Sequence, residues 1–125
     1  MAIQSRYEEI TAYTTKDGST IRELMHPDVH GNRRQSLAEA TVPPGKSTTI
    51  HRHRWSEEIY YFLDGEGVMR LGEERLSVRA GDTVCIPKGV PHQLENTGLA
   101  PLRVICCCAP AYAHEDTELL DERNE

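Results

Sequence analysis

Two histidines and a nearby carboxylate stand at a spacing that could bind one metal ion. His51 and His53 are two residues apart, and the acidic pair Glu57 and Glu58 follows in the same stretch. In a β-strand, side chains two residues apart point to the same face, so the two imidazoles would lie roughly 6.5 Å apart along it. Imidazole nitrogens bind transition metals at about 2.0–2.1 Å, so both could contact one ion. The stretch therefore predicts part of a metal site.

A second stretch adds another histidine, His92, from a later predicted strand. With Glu58 it would give the ion three neutral nitrogens and one carboxylate, and one or two positions of a six-coordinate ion would stay open. Open positions are typical of catalytic or ligand-binding sites rather than structural ones. These donors suit one divalent transition metal, Fe, Mn, Ni, Cu or Zn, and affinity alone does not choose among them.

The spacing of both stretches matches a known pair of motifs. Residues 45–65 read G-x5-HxH-x4-E-x6-G, and residues 81–96 read G-x5-P-x-G-x2-H-x3-N. These are the signature motifs of the cupin superfamily, which the sequence therefore resembles, with every motif position filled. The resemblance implies four metal ligands: His51, His53, Glu58 and His92.

The carboxylate ligand has one alternative in the sequence. Glu57 precedes Glu58, and some cupins have three residues between the second histidine and the carboxylate instead of four. We favour Glu58, because six residues then lead from it to Gly65, as the motif requires.

The rest of the chain divides into short strands separated by turn signals, which is typical of an antiparallel sandwich or barrel. Residues 57–63 are the clearest strand by β-branched and aromatic content, and the turn at Asp64-Gly65 predicts a hairpin with residues 68–71. Further strands are predicted at residues 20–25, 35–42, 47–53, 75–79, 83–86, 92–95 and 102–109. The predicted fold class is all-β: an antiparallel jelly-roll β-barrel or sandwich of the cupin type.

The length of 125 residues predicts a single cupin domain. We expect its core barrel at about residues 35–109, N-terminal strands or an arm at 1–34, and an acidic tail at 110–125. Residues 117–123 are predicted to form one or two helical turns within an otherwise irregular tail. The net charge of −6 and the lack of a basic patch argue against a nucleic-acid partner.

No apolar run approaches the roughly 20 residues of a membrane span, and the first residues lack the apolar segment of a signal peptide. Of four cysteines, three are adjacent, which makes a poor disulfide framework. We therefore predict a cytoplasmic protein with no membrane partner. On one strand, Cys106 and Cys108 would share a face and Cys107 would take the other, and we expect them reduced and mostly buried.

Three further side chains are candidate catalytic residues. Tyr60 shares a strand face with Glu58 and could donate a hydrogen bond to a substrate oxygen. Glu39 lies in a polar row that would suit either a polar cavity or a solvent-exposed sheet face. His26, in the loop before that strand, could act as a base near the barrel mouth.

The resemblance to cupins leaves three functions open. It implies a metal-dependent enzyme that acts on a small polar metabolite, with isomerase-type chemistry on a sugar or sugar acid as the first expectation. The alternatives are an Fe(II)-dependent dioxygenase and a non-catalytic protein that binds a metal and a small molecule. We also expect a homodimer, because partners commonly cover the exposed edges of small sandwiches.

Overall fold

A computed structural model describes residues 2–120 of the chain. Two sheets form within this range, together with one short helix, α1 (Pro27–His30), and 3-10 turns at Tyr7–Glu9 and His114–Asp116. The strands in chain order are β1 (Tyr13–Thr14), β2 (Thr20–Met25), β3 (Ser36–Val42), β4 (His51–His53), β5 (Glu57–Asp64), β6 (Glu66–Leu71), β7 (Glu74–Arg79), β8 (Thr83–Ile86), β9 (His92–Asn96), β10 (Leu102–Ala109) and β11 (Thr117–Leu119).

The strands pair in two antiparallel sheets, which confirms the predicted all-β antiparallel fold. The six-stranded sheet has the order β1-β2-β3-β10-β5-β8, and the five-stranded sheet has the order β11-β4-β9-β6-β7. Strands β1 and β2 from the N-terminal arm extend the first sheet, and β11 from the C-terminal tail forms an edge of the second. The arm and the tail are thus built into the two sheets.

Strict alternation of side chains gives each sheet one inner face. Along β5 exposed and buried residues alternate over its first six positions, and β10 alternates between buried and partly buried residues. The inner faces bring together Phe62, Met69, Leu102 and Val104, which have no exposed surface. Removing such side chains from water contributes about 1.5–3 kcal/mol each, so this core fixes the two sheets against each other.

The predicted hairpin between residues 57–63 and 68–71 is wrong. Strand β5 pairs with β10 and β8, whereas β6 pairs with β7 and β9, so the chain crosses between sheets at Gly65. Gly65 has a φ of 88°, and a Cβ there would lie 2.7 Å from the Pro101 carbonyl oxygen, so this corner requires glycine. The turn signal was correct, but it does not say which sheet the next strand joins. A two-residue hairpin instead joins β6 to β7, where Leu71 pairs with Glu74.

The tail also differs from the prediction of helical turns. Residues Thr117–Leu119 form β11, which pairs antiparallel with β4 and sets Thr117 opposite His53 and Leu119 opposite His51. This pairing satisfies backbone groups along the edge of β4 that would otherwise lack partners. Residues 121–125, which include the end of the predicted helical segment, lie outside the described range. In residues 2–120 no helix is long and apolar enough to span a membrane.

Candidate metal centre

Three histidines meet on the inner face of the five-stranded sheet. His51 and His53 alternate with Arg52 on β4, and His92 on β9 pairs directly with His51. All three side chains are buried, and one ring nitrogen from each lies within 4.8 Å of the others. The structure therefore brings together the three histidines that the sequence predicts as ligands, in a cluster that could bind a metal ion.

The hydrogen bonds of His51 and His92 decide which nitrogen faces the cluster. His51 Nδ1 lies 2.8 Å from the carbonyl oxygen of Thr49, and His92 Nδ1 lies 3.0 Å from that of Val90. A carbonyl oxygen can only accept, so we assign the ring proton to Nδ1 in both histidines. Each Nε2 then presents a lone pair to the cluster, as a metal ligand must.

His53 is oriented in the same way by the C-terminal strand. Its Nδ1 lies 3.1 Å from the hydroxyl oxygen of Thr117, and that hydroxyl donates its own proton to the Ala113 carbonyl at 3.0 Å. The hydroxyl oxygen therefore accepts from His53 Nδ1, and the Nε2 lone pair turns inward. One residue of β11 thus sets the orientation of a candidate ligand on β4.

A carboxylate approaches the histidines from the opposite sheet. Glu58 Oε1, on β5, lies 3.2 Å from His53 Nε2 and 3.5 Å from His92 Nε2, and the side chain is buried. Its other oxygen accepts a hydrogen bond from the Cys108 thiol at 3.2 Å. Glu57 is exposed on the other face of β5. The structure therefore places Glu58, and not Glu57, beside the cluster.

The charges of the cluster favour binding of a cation. Burial, and then the nearby imidazole of His92, lower the pKa of His51 to about 4, so His51 is neutral at pH 7. Burial alone would raise the pKa of Glu58, but its interactions with His53 and His92 hold it well below its usual value. The site thus combines a neutral imidazole with an ionised carboxylate.

The donors fit a divalent transition metal. Glu58 Oε1 and His92 Nε2 are buried and have no hydrogen-bond partner. Leaving such an atom unsatisfied costs about 1–3 kcal/mol, and an ion among the donors would remove that cost. Adjacent donors about 2.1 Å from an octahedral ion lie about 3.0 Å apart, close to the separations of Glu58 from His53 and His92.

A cavity between the two sheets begins at this cluster. His51, His53 and Glu58 line one end of it, and Tyr60 lines it beside them. Aliphatic, aromatic and thiol side chains form most of the remaining wall: Ile21, Ala38, Ala40, Val42, Leu94, Tyr13, Tyr112, Cys106 and Cys108. Among the described residues that line the cavity, none is a lysine or an arginine.

Of the three candidate catalytic residues, Tyr60 lies in the cavity. Its ring centroid is 6.0 Å from that of His92, and its side chain is buried. Burial, and then the charge of Glu58, raise the pKa of the phenol well above its usual value. Tyr60 therefore remains a neutral hydroxyl that can donate a hydrogen bond.

Glu39 points away from the cavity. It lies on the outer face of β3, where its carboxylate accepts hydrogen bonds from the Tyr7 hydroxyl at 2.6 Å and from Arg103 Nη2 at 2.7 Å. The alternation of β3 turns Ala38 and Ala40 inward instead. The polar row seen in the sequence therefore belongs to the outer surface of the sheet, covered by the N-terminal arm.

His26 has a structural role instead of the catalytic one that the sequence suggested. Its Nδ1 accepts from the backbone N–H of Asp28 at 3.1 Å, which caps α1, and its Nε2 donates to the Tyr112 carbonyl at 2.7 Å. Both ring nitrogens are thus used in holding the loop to the C-terminal segment. His26 is not among the residues that line the cavity.

Two acidic residues of the arm line the cavity although the sequence did not single them out. Asp17 lies in the β1–β2 turn, and its Oδ2 is 3.4 Å from His51 Nε2. Glu23 lies on β2 on the face of Ile21, and burial raises the pKa of its carboxyl above the usual value. Strand alternation could have placed Glu23 beside Ile21 on an inner face, but no local signal showed that this face meets the cavity.

The cysteines take the two faces that strand alternation predicts. Cys106 and Cys108 are buried and line the cavity, whereas Cys107 is partly exposed on the other face of β10. Cys85 is exposed, and all four cysteines are free thiols. Burial, and then the nearby charge of Glu58, raise the pKa of both cavity cysteines well above the usual value, so their thiols stay protonated.

Comparison with known proteins agrees with this architecture. A family model of the cupin domain matches residues 38–108. The chain is 52% identical over 119 residues to the Methanocaldococcus jannaschii protein MJ1618, with 95% of each covered. It is 36% identical over 84 residues to an oxalate-binding protein of Thermotoga maritima, with 67% of this chain and 65% of that protein covered.

A solved structure is similar over almost the whole chain. The polyketide cyclase RemF from Streptomyces resistomycificus superposes with a TM-score of 0.79 and 25% sequence identity, covering 98% of this chain and 89% of that one. Because the family model matches more than half of the sequence and the sheets and histidine cluster agree with it, the chain belongs to the cupin superfamily.

Proposed function

We propose that this cupin is a metal-dependent enzyme that moves a proton on a small polar metabolite, as in the isomerisation of a sugar or sugar acid. The observation that carries the proposal is the convergence of buried, unpaired donor atoms at one end of a cavity. His92 Nε2 and Glu58 Oε1 have no hydrogen-bond partner there. A bound divalent ion would act as a Lewis acid toward a carbonyl oxygen of the substrate.

The residues of the chain would hold the ion and handle the proton. His51, His53, His92 and Glu58 are the proposed ligands, with each histidine oriented by the acceptor at its Nδ1. Tyr60, kept neutral by burial, would donate a hydrogen bond to a substrate oxygen.

Glu23 is the proposed base. It lines the same cavity, and its raised pKa brings it closer to neutral pH, where a general base works best.

The lining of the cavity limits the class of substrate. A phosphorylated metabolite would need cationic side chains or a helix N-terminus to bind its phosphate, and the described lining offers no lysine or arginine. Its acidic groups, Asp17, Glu23 and Glu58, would repel a dianion where the metal does not compensate. The expected substrate is therefore unphosphorylated and binds the metal through a carbonyl, hydroxyl or carboxyl oxygen.

Two other functions remain candidates. The oxalate-binding protein of Thermotoga maritima favours a non-catalytic role, in which a small chelating acid would bind at the same donors. Three histidines and one carboxylate also leave two positions open on a six-coordinate ion, which an Fe(II)-dependent dioxygenase requires.

One experiment separates the three functions. The protein loaded with each candidate metal is incubated with unphosphorylated sugars and sugar acids in D2O, and NMR measures deuterium incorporated at the carbon beside the carbonyl. We expect exchange with the wild type and its loss in Glu23→Gln with metal still bound. Oxygen consumption by the iron form would favour the dioxygenase, and a tightly held ligand without turnover or exchange would favour the binding protein.

We also propose that the protein forms a homodimer through the outer face of its six-stranded sheet. Leu37, Ile59 and Tyr61 are each more than a third exposed on that face. Apolar side chains grouped on one sheet face are typical of interaction surfaces.

A further inference from the structure

We propose that Asp17 is a fifth protein ligand of the metal, so that the site contains three histidines and two carboxylates. This inference rests on the proposed metal site and adds a residue from the N-terminal arm. The family model begins at residue 38, so Asp17 lies outside the part of the chain that the cupin motifs describe.

The β1–β2 turn aims the Asp17 carboxylate at the cluster. Asp17 Oδ1 accepts hydrogen bonds from the Ser19 backbone N–H at 2.9 Å and from its hydroxyl at 2.6 Å. These bonds fix the side chain and leave Oδ2 directed to His51 Nε2, 3.4 Å away. The Asp17 side chain is 13% exposed, so water competes weakly for that oxygen.

The contact between Asp17 and His51 suits a shared cation. Because the Thr49 carbonyl accepts from His51 Nδ1, Nε2 of the neutral ring carries a lone pair and cannot donate to Asp17. An ionised carboxylate oxygen also has only lone pairs, so the two atoms face each other with no proton between them. An ion shared by both atoms turns this repulsion into attraction, and 3.4 Å is close to the separation of about 3.0 Å expected for adjacent donors.

The two carboxylates approach the histidines from different sides. Glu58 Oε1 lies against His53 and His92, whereas Asp17 Oδ2 lies against His51. Glu58 comes from β5 in the six-stranded sheet, and Asp17 comes from the turn of the arm. We therefore expect an ion among the three Nε2 atoms to have Asp17 beside His51 and Glu58 beside His53 and His92.

Hydrogen bonds hold the turn against the metal-binding strand. The Thr49 backbone N–H donates to the Asp17 carbonyl at 2.7 Å, two residues before His51. Lys16 Nζ donates to the Thr117 carbonyl at 2.7 Å, which links the turn to β11. The position of Asp17 is thus fixed by the same strands that position His51 and His53.

A fifth protein ligand changes which ions and substrates the site accepts. Two carboxylates balance the charge of a divalent ion. Because oxygen donors suit harder ions, the site would favour Mn2+ and Fe2+ more than a site of three imidazoles alone would. A six-coordinate ion would keep one open position, so a substrate would bind through one oxygen unless Asp17 moves away.

The test compares Asp17→Asn with the wild type in Mn2+ binding, measured by calorimetry. Asparagine keeps a side-chain oxygen that can accept the hydrogen bonds from Ser19, but it removes the negative charge. We therefore expect Mn2+ to bind about 10–100-fold more weakly. The matched control is Asp82→Asn, because Asp82 accepts from the Arg79 backbone N–H at 2.9 Å in a turn away from the cluster. That control should bind Mn2+ as the wild type does.

A second measurement does not depend on the variant. Long-range 1H–15N NMR of the metal-free protein should show the His51 proton on Nδ1, and a proton on Nε2 would overturn the inference. Unchanged Mn2+ affinity in Asp17→Asn, while His92→Ala loses the ion, would also overturn it and leave the three-histidine site intact. If neither the wild type nor any variant binds a metal, both this inference and the proposed function fail.

Discussion

At the scale of single residues, Glu57 and Glu58 differ in the face of β5 that each occupies. Glu58 is buried beside His53 and His92, and Glu57 is exposed. We predict that Glu58→Gln lowers metal affinity by at least about tenfold, because an anionic donor is lost. Metal content after dialysis against a chelator measures the effect. Glu57→Gln is the matched control, and loss of metal from that variant alone would reverse the assignment of the carboxylate.

Glu23, the proposed base, should also make the stability of the protein depend on pH. Burial raises its pKa in the folded protein above the usual 4.5, so the folded state holds the proton more tightly than the unfolded state does. The folded protein therefore loses stability as pH rises from 4.5 through the folded pKa. We predict that Glu23→Gln unfolds at a higher temperature than the wild type at pH 7 and at the same temperature at pH 4.

The same substitution should reduce catalysis. Loss of a general base lowers kcat by about 10²–10⁴-fold, and wild-type activity should rise with pH as Glu23 ionises. Thermal melts and pH–rate profiles measure the two effects. A variant that is neither more stable at pH 7 nor less active would contradict the role given to Glu23.

At the scale of elements, β11 supports the proposed metal site without supplying a ligand. The Thr117 hydroxyl accepts from His53 Nδ1, and the Asp116 carboxylate accepts from the backbone N–H groups of Trp55 at 2.7 Å and Ser56 at 3.2 Å. Strand β11 therefore fixes the end of β4, and the 3-10 turn before it fixes the connection from β4 to β5.

We predict that Thr117→Val weakens metal binding by about 10–100-fold while the fold remains, because His53 loses the acceptor that sets its tautomer. Calorimetric titration with the metal measures the change, and circular dichroism checks the fold. Thr83→Val, on an exposed position of β8, is the control. Equal affinities in the two variants would mean that β11 only covers a sheet edge.

The elements also show what the sequence could predict. Strands β2, β8 and β10 have the predicted bounds, because their alternation and flanking turns are local signals. The hairpin at Asp64-Gly65 failed, because strand pairing is decided by residues far along the chain, such as those of β10. The histidines followed from spaced motifs, whereas Asp17 and Glu23 reach the cavity only because the arm joins the six-stranded sheet, which no short-range pattern shows.

At the scale of the whole molecule, an apolar row crosses the outer face of the six-stranded sheet. Leu37, Cys107, Ile59 and Cys85 are cross-strand neighbours in register. Ile59 and Leu37 are 42% and 37% exposed, an arrangement that a second copy of the chain could cover.

We predict that Ile59→Arg converts the proposed dimer to a monomer, because a charge at the centre of this row would be buried without a partner. Analytical ultracentrifugation measures the oligomeric state. Leu99→Arg is the control, since Leu99 is fully exposed in a loop. A dimer that persists in Ile59→Arg would mean that the interface lies elsewhere, and a monomeric wild type would contradict the proposal.

The position of Thr117 along the chain has a consequence for biosynthesis. The ribosome adds residues in order, so His51, His53, Glu58 and His92 are all made before the strand that contains Thr117. Until that strand pairs with β4, His53 lacks the partner that fixes its ring proton. A nascent chain would thus offer metals all four donors with the tautomer of His53 not yet fixed, and we expect tight metal binding only after synthesis has passed this strand. The choice of ion would then reflect the metals available to the finished protein rather than those near the translating ribosome.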